Sequence, residues 1–194
     1  VRENTKYIEI YKEMYSRLKT GFSKETGELI SSIDGINIKP NLIRPYHNHH
    51  LDKDWAHMDQ TIRGDTFKCI QGQVVLSNTS ASFRCSPKSH LVYEKILDEL
   101  GINKNDKGNW AKLPAEKYES CKEIVESEGG TWQIPIIAPK GSCILWFSTT
   151  LHSAKHSDGP EVPTAEDPWL GWRAVFYITY RPANEFTQRQ KEKI

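Results

Sequence analysis

The sequence predicts a mainly β fold with flanking helices, arranged as an antiparallel sandwich or barrel. Three observations predict it. Short runs of β-branched and aromatic residues recur from residue 28 to residue 180. Helical spacing is confined to the front of the chain and to one insertion. No strand–helix–strand alternation occurs, which argues against a parallel sheet. The 194 residues fit a single domain, 1–194, large enough to bury one core. The chain begins at Val1 rather than Met, so residues upstream of it are expected.

In order, the first element is a helix from about Thr5 to Leu18. Tyr7, Ile8, Tyr11, Met14, Tyr15 and Leu18 recur at three- and four-residue steps, and Gly21 is placed to end it. Strand-like runs Glu28 to Ser32 and Ile36 to Ile38 flank the turn residues Ile33, Asp34 and Gly35. Asn41 to Asp54 is polar, holds Pro45 and reads as loop. Strands follow at Trp55 to Gln60, Phe67 to Ser77 and Ser82 to Cys85. Two helical patterns, Leu91 to Leu100 and Ala115 to Glu128, are separated by polar NKNDKGNW. TWQIPII, a Pro139-Lys140-Gly141 turn and SCILWFSTTL return to strand. A Pro-rich loop, His156 to Trp169, precedes the last strand, Gly171 to Tyr180, and a loop of that length suits a functional lid.

Composition excludes several classes. Lys and Arg number 26 against 25 Asp and Glu, a net charge of +1, so no nucleic-acid or membrane surface is indicated. No apolar run is long enough for a membrane span and no signal-peptide pattern opens the chain. Cys69, Cys85, Cys121 and Cys143 form no C-x-x-C and read as mostly buried free thiols. A reducing, cytoplasmic setting is therefore expected. Oligomeric state leaves no mark in the sequence.

The segment HNHHLDKDWAHMDQ carries His-x-Asp twice, as His50 and Asp52 and as His57 and Asp59. Residues i and i+2 of a strand share a face, so such a pair can offer two facial ligands to Fe(II). The first pair lies in a polar loop, which holds ligands poorly. The second follows Trp55 and Ala56 in a strand and is the better candidate. A third ligand should close a later strand. His152, at the end of SCILWFSTTL, fits this better than His156 or His90. A co-substrate carboxylate needs a fixed guanidinium. Arg173, between Trp172 and Ala174, reads as partly buried and would lie near His152 if the last two strands are antiparallel neighbours. Arg181 falls about 26 Å further along the same strand.

Taken in order, H-x-D-Q, QGQVVL, SFRCSPKSH, KGSCILWFSTTLHSA and WRAVFYITYRP resemble the phytanoyl-CoA dioxygenase-like group of Fe(II)/2-oxoglutarate oxygenases. The resemblance covers most of the chain. It implies a double-stranded β-helix, a cupin-like jelly roll with helices on one side. It implies His57, Asp59 and His152 as iron ligands and Arg173 as the anchor of the distal carboxylate of 2-oxoglutarate. Where many members have a Ser two residues after the last histidine, this chain has Ala154, with Ser153 adjacent as a substitute. Gln71 and Gln73 share a strand face and either bind the co-substrate or satisfy one another. Ser89 and His90 resemble a structural turn.

The resemblance implies hydroxylation of an unactivated C–H bond in a small organic or lipid-like substrate, with Fe(II), 2-oxoglutarate and O2 as cofactor and co-substrates and succinate and CO2 released. Halogenating members lack the carboxylate that Asp59 supplies here. Two other readings remain open: a binding module on the same fold, and a different metal enzyme that needs no anion anchor.

Overall fold

The computed structural model describes residues 3–32, 34–39, 55–78, 83–103, 109–154, 164–168 and 170–192. Its elements are α1 (Thr5–Leu18), β1 (Leu29–Ser31), β2 (Ile36–Lys39), β3 (His57–Met58), β4 (Ile70–Val75), β5 (Phe83–Cys85), α2 (Tyr93–Glu99), β6 (Ala111–Lys112), α3 (Tyr118–Ser127), β7 (Ile134–Ile136), β8 (Cys143–Phe147), β9 (His152–Ala154), β10 (Arg173–Pro182) and α4 (Gln188–Lys191). The helices of the 90–128 insertion are each preceded by a 3-10 turn, at Ser89–Leu91 and Ala115–Lys117. Among the described residues no helix is long and apolar enough to cross a membrane.

The first helix forms where the spacing places it. Asn4 caps it by accepting from the Lys6 amide at 3.0 Å, and Gly21, at φ +83°, lies just past its end. Its apolar face buries Tyr11 and Tyr15 completely. Both phenols also need polar partners there. The Tyr11 hydroxyl donates to the Ile178 carbonyl at 2.8 Å, and the Tyr15 hydroxyl donates to the Tyr180 carbonyl at 2.8 Å while accepting from the Ile70 amide at 3.0 Å. Gly72 makes this close approach feasible. A Cβ there would sit 2.6 Å from the Tyr11 hydroxyl and 2.7 Å from Leu145 Cδ2.

All observed strand pairs are antiparallel. One sheet runs β1-β10-β4-β8 with β2 also on β10, and the other runs β6-β3-β9-β5-β7. The sheets face each other: Phe83 of β5 and His152 of β9 pack their rings 4.7 and 5.2 Å from Trp146 of β8. α1 covers the outer face of the first sheet, and α2 and α3 cover the outer face of the second around Met58, Ile96, Leu97 and Val125. Helices therefore lie on both outer faces rather than on one. All four cysteines are free thiols, with only Cys121 fully buried.

Two expectations are corrected. SCILWFSTTL is not one strand. A turn closed by the Thr150 amide on the Phe147 carbonyl, at 2.8 Å, ends β8, and the chain crosses to the other sheet before β9. Thr149 and Thr150 favour β conformations, so the sequence carries no breaker at the crossing. β10 is not a neighbour of β8, because β4 lies between them. Between the polar NKNDKGNW and Ala115 lies an unforeseen strand, β6, which is too short for any periodicity to reveal. In addition, β1 and β2 do not pair with each other but lie end to end along one edge of β10. The loop 41–54 and most of the loop 156–169 lie outside the described residues.

Candidate metal centre and cavity

β3 and β9 are adjacent, and their only paired positions are His57 and His152. Directly opposed residues of an antiparallel pair project from one face. Both rings therefore point into the space between the sheets, 4.2 Å apart. Asp59 joins them from just beyond β3, where its amide donates to the Ser148 carbonyl at 3.0 Å. His57 Nε2 lies 3.7 Å from Asp59 Oδ1, and His152 Nε2 lies 3.4 Å from Asp59 Oδ2. One ligand atom from each of the three residues falls within 4.8 Å of the others.

The backbone sets the chemistry of both imidazoles. His57 Nδ1 lies 3.1 Å from the Trp55 carbonyl and His152 Nδ1 lies 2.9 Å from the Thr150 carbonyl. A carbonyl only accepts, so each Nδ1 carries the proton, and in the neutral ring Nε2 presents a lone pair. Burial, then the neighbouring His152, pushes His57 down to about 4, so its ring is neutral near pH 7. Burial opposes ionisation of Asp59, but the hydrogen bond and charge of His152, the charge of His57 and the Gln71 amide outweigh it and hold the carboxyl below its ordinary value. Two lone pairs and a carboxylate thus converge on one point. Without a metal, the two imidazoles offer the carboxylate a donor only if one of them is protonated. A divalent cation takes all three, and two imidazoles with one carboxylate suit Fe(II) with open positions left over.

The opposite wall carries a buried cation. Arg173 is 1% exposed. Its Nη1 donates to Asn37 Oδ1, and its Nη2 donates to Gln73 Oε1 and to the Tyr177 hydroxyl, both at 3.2 Å. All three partners are neutral, and Nε has no partner. Among the described residues no carboxylate pairs with Arg173, and a buried guanidinium requires an anion. Gln71 Nε2 donates to Asp59 Oδ2 at 2.9 Å, while its Oε1 is buried without a partner. Gln71 and Gln73 do share a face, but each bonds elsewhere rather than to the other. Apart from Asn37, these groups line one cavity of about 350 Å³, together with Trp55, Trp110, Trp146 and Phe83.

Arg173 reaches this cavity by a different route from the one expected. It projects from β10 in the first sheet, across from His152 rather than beside it. Ser153 is among the residues that line this cavity. Its hydroxyl donates to Gln133 Oε1 at 2.6 Å, and Gln133 is not part of that lining. Gln133, at φ +40°, also donates to Ser86 Oγ at 3.1 Å, so this buried group supports the strand that carries His152. The His90 ring packs against Phe67 and Phe147, and Arg181 pairs with Glu185 at 2.6 Å. His50, Asp52 and His156 lie outside the described residues. The sequence reading missed Tyr177, Asn37, Gln133 and the cavity tryptophans. Tyr177 alone left a signal, four residues from Arg173 on the same strand face.

No family model matches this chain, and no curated protein does. Among solved structures it is similar to EvdMO1, with 13% identity over 80% of this chain and 28% of that one and a TM-score of 0.45. It is also similar to the epimerase SnoN in complex with Fe3+, alpha ketoglutarate and nogalamycin RO, with 14% identity over 92% of this chain and 59% of that one and a TM-score of 0.46. The chain thus spans 28% and 59% of the lengths of these two.

Proposed function

We propose that residues 1–194 form a non-haem Fe(II)- and 2-oxoglutarate-dependent dioxygenase on a double-stranded β-helix of the phytanoyl-CoA dioxygenase-like kind, hydroxylating an unactivated C–H bond of a small organic or lipid-like substrate. One observation carries the reading. A His-Asp-His cluster with both Nε2 lone pairs turned inward shares a cavity with a buried arginine whose partners among the described residues are all neutral. A pure binding module needs no such combination, and a metal enzyme without an acidic co-substrate needs no buried guanidinium.

The residues present fit the groups this chemistry requires. His57, Asp59 and His152 would hold Fe(II). Arg173 would bind the distal carboxylate of 2-oxoglutarate, with Gln73 and Tyr177 holding the guanidinium in place. Gln71 reaches the metal-site carboxylate and Gln73 reaches the guanidinium. The two lie roughly 7 Å apart along one strand, on the order of the span of a short dicarboxylic acid. When bound, Fe(II), 2-oxoglutarate and O2 supply the oxidising equivalents for C–H hydroxylation, with succinate and CO2 as co-products. The chain's own part is geometry and charge: Nδ1 bonds keep both imidazoles oriented, Asp59 stays ionised, and the aromatic walls exclude water.

The test is an anaerobic titration. Adding Fe(II) and then 2-oxoglutarate should produce the weak visible charge-transfer band of the chelate, and admission of air should yield succinate. Absence of both ends the oxygenase reading. A metal that binds without any effect of 2-oxoglutarate points to the different metal enzyme. Absence of metal binding points to the binding module.

A further inference from the structure

We infer that the mouth of this cavity is an aromatic subsite, and that the substrate presents a flat, unsaturated ring system to Trp110. The inference deepens the proposed function by naming a substrate class and rests on that reading for the cavity's role.

Large apolar side chains stand exposed at seven described positions, but six of them, such as Ile36 and Ile137, lie outside the cavity. Trp110 is the exception, 51% exposed and part of the cavity lining. A tryptophan in a core role would be covered, as Trp146 is at 9%. Trp110 is also held in place. It directly precedes β6, whose register sets Ala111 against Met58 and Lys112 against His57. One step further, that register places Trp110 against Asp59, on the cavity side.

The neighbouring wall is already a ring stack. Trp55 lies parallel to His57, at 5° and 4.4 Å, and its indole N–H is fixed on the Ala154 carbonyl at 3.1 Å. Trp110 meets His57 at a tilt, at 5.9 Å and 45°, and this is its one ring contact among the described residues. With about half of its surface exposed, Trp110 is accessible to a molecule entering beside the metal ligands. A saturated chain would gain burial there. A flat ring would gain burial and the added attraction of an offset or edge-to-face pair.

The test uses two probes with one carbon skeleton and one hydroxyl: 1-naphthol, which is flat, and decahydro-1-naphthol, which is puckered. Each is titrated into the protein as purified, and again with Fe(II) and 2-oxoglutarate without oxygen, while the indole N–H resonances of the six tryptophans are followed by NMR. A Trp110→Leu variant assigns the resonance. The flat probe should bind about fivefold more tightly and shift the Trp110 signal, the size expected of one ring pair. Trp110→Phe should keep the preference, and Trp110→Leu should reduce it below about twofold. Equal affinity for the two probes, or a preference that survives in Trp110→Leu, overturns the inference. The chelate band is read separately. If it forms without a ring preference, only the aromatic subsite falls. If the preference depends on Trp110 and no band forms, the oxygenase reading falls and the subsite stands.

Discussion

The two ends of the cavity are held by different parts of the chain. At the His57 and His152 end, main-chain carbonyls orient the ligating rings. At the Arg173 end, side chains do so: Asn37, Gln73 and Tyr177. A backbone carbonyl survives every substitution that leaves the strand in place, whereas an amide or phenol is lost with one codon. The metal end should therefore respond mainly to changes in the ligands themselves. The anion end should respond to a wider circle of residues.

Four measurements can break or sharpen this contrast. The largest effect is expected for Asp59→Ala, which removes a ligand and its charge. Affinity for Fe(II) or Zn(II) by calorimetry should fall by more than about 100-fold, beyond the usual cost of losing a supporting group. Next is Arg173→Met, which should weaken 2-oxoglutarate by about 2–5 kcal/mol while metal affinity stays within about twofold. If metal binding falls as far as co-substrate binding, the two ends are not separable.

A pair of amide substitutions divides the ends more finely. Gln73→Leu should weaken 2-oxoglutarate by about 1.5–3 kcal/mol, since a charged group loses an acceptor. Gln71→Leu should act on the metal instead, by about tenfold. The same loss in both variants would mean that the face acts as one unit.

The smallest effect on the site itself is expected from the packing behind the ends, which bears on stability rather than binding. Burial pushes the Cys69 thiol up to about 12, and Cys121 and Cys143 up to about 11, from an ordinary 9.0. Above pH 9.0 the unfolded chain loses these protons while the folded chain keeps them. Stability should then fall with rising pH, by at most about 1.4 kcal/mol per thiol and pH unit, until the folded values are reached. Denaturant midpoints between pH 9 and 11 check this, and Cys69→Ala should flatten the slope. A slope unchanged by that substitution would remove Cys69 from the account.

Legibility in the sequence followed the length of each signal. The first helix was legible because fourteen residues repeat one spacing between a cap and a glycine. The His57 and Asp59 pair was legible from its i, i+2 interval, although the strand proved to be only two residues long and Asp59 sits just outside it. Arg173 was legible as buried from its apolar flanks, but its partner strand was not. Strand order depends on contacts far apart in sequence, and β4 inserts between β8 and β10 without any local mark. Gln133 left no trace, because a left-handed glutamine looks like any other in one sequence. Ser153 was legible as a neighbour of His152, but its bond to Gln133 was not, because the two are twenty residues apart in sequence.

Gly72 lies between Gln71 and Gln73, so three consecutive residues of β4 serve cavity, helix and cavity in turn. The wall there is one residue thick. Substitutions at 71 or 73 can reshape the pocket without touching α1, and the helix can be repacked without touching the pocket. Insertions cannot make that distinction. One extra residue in β4 would exchange the two faces, driving a glutamine into Tyr11 and leaving the glycine opposite the metal ligands. This segment should therefore tolerate changes of side chain far better than changes of length.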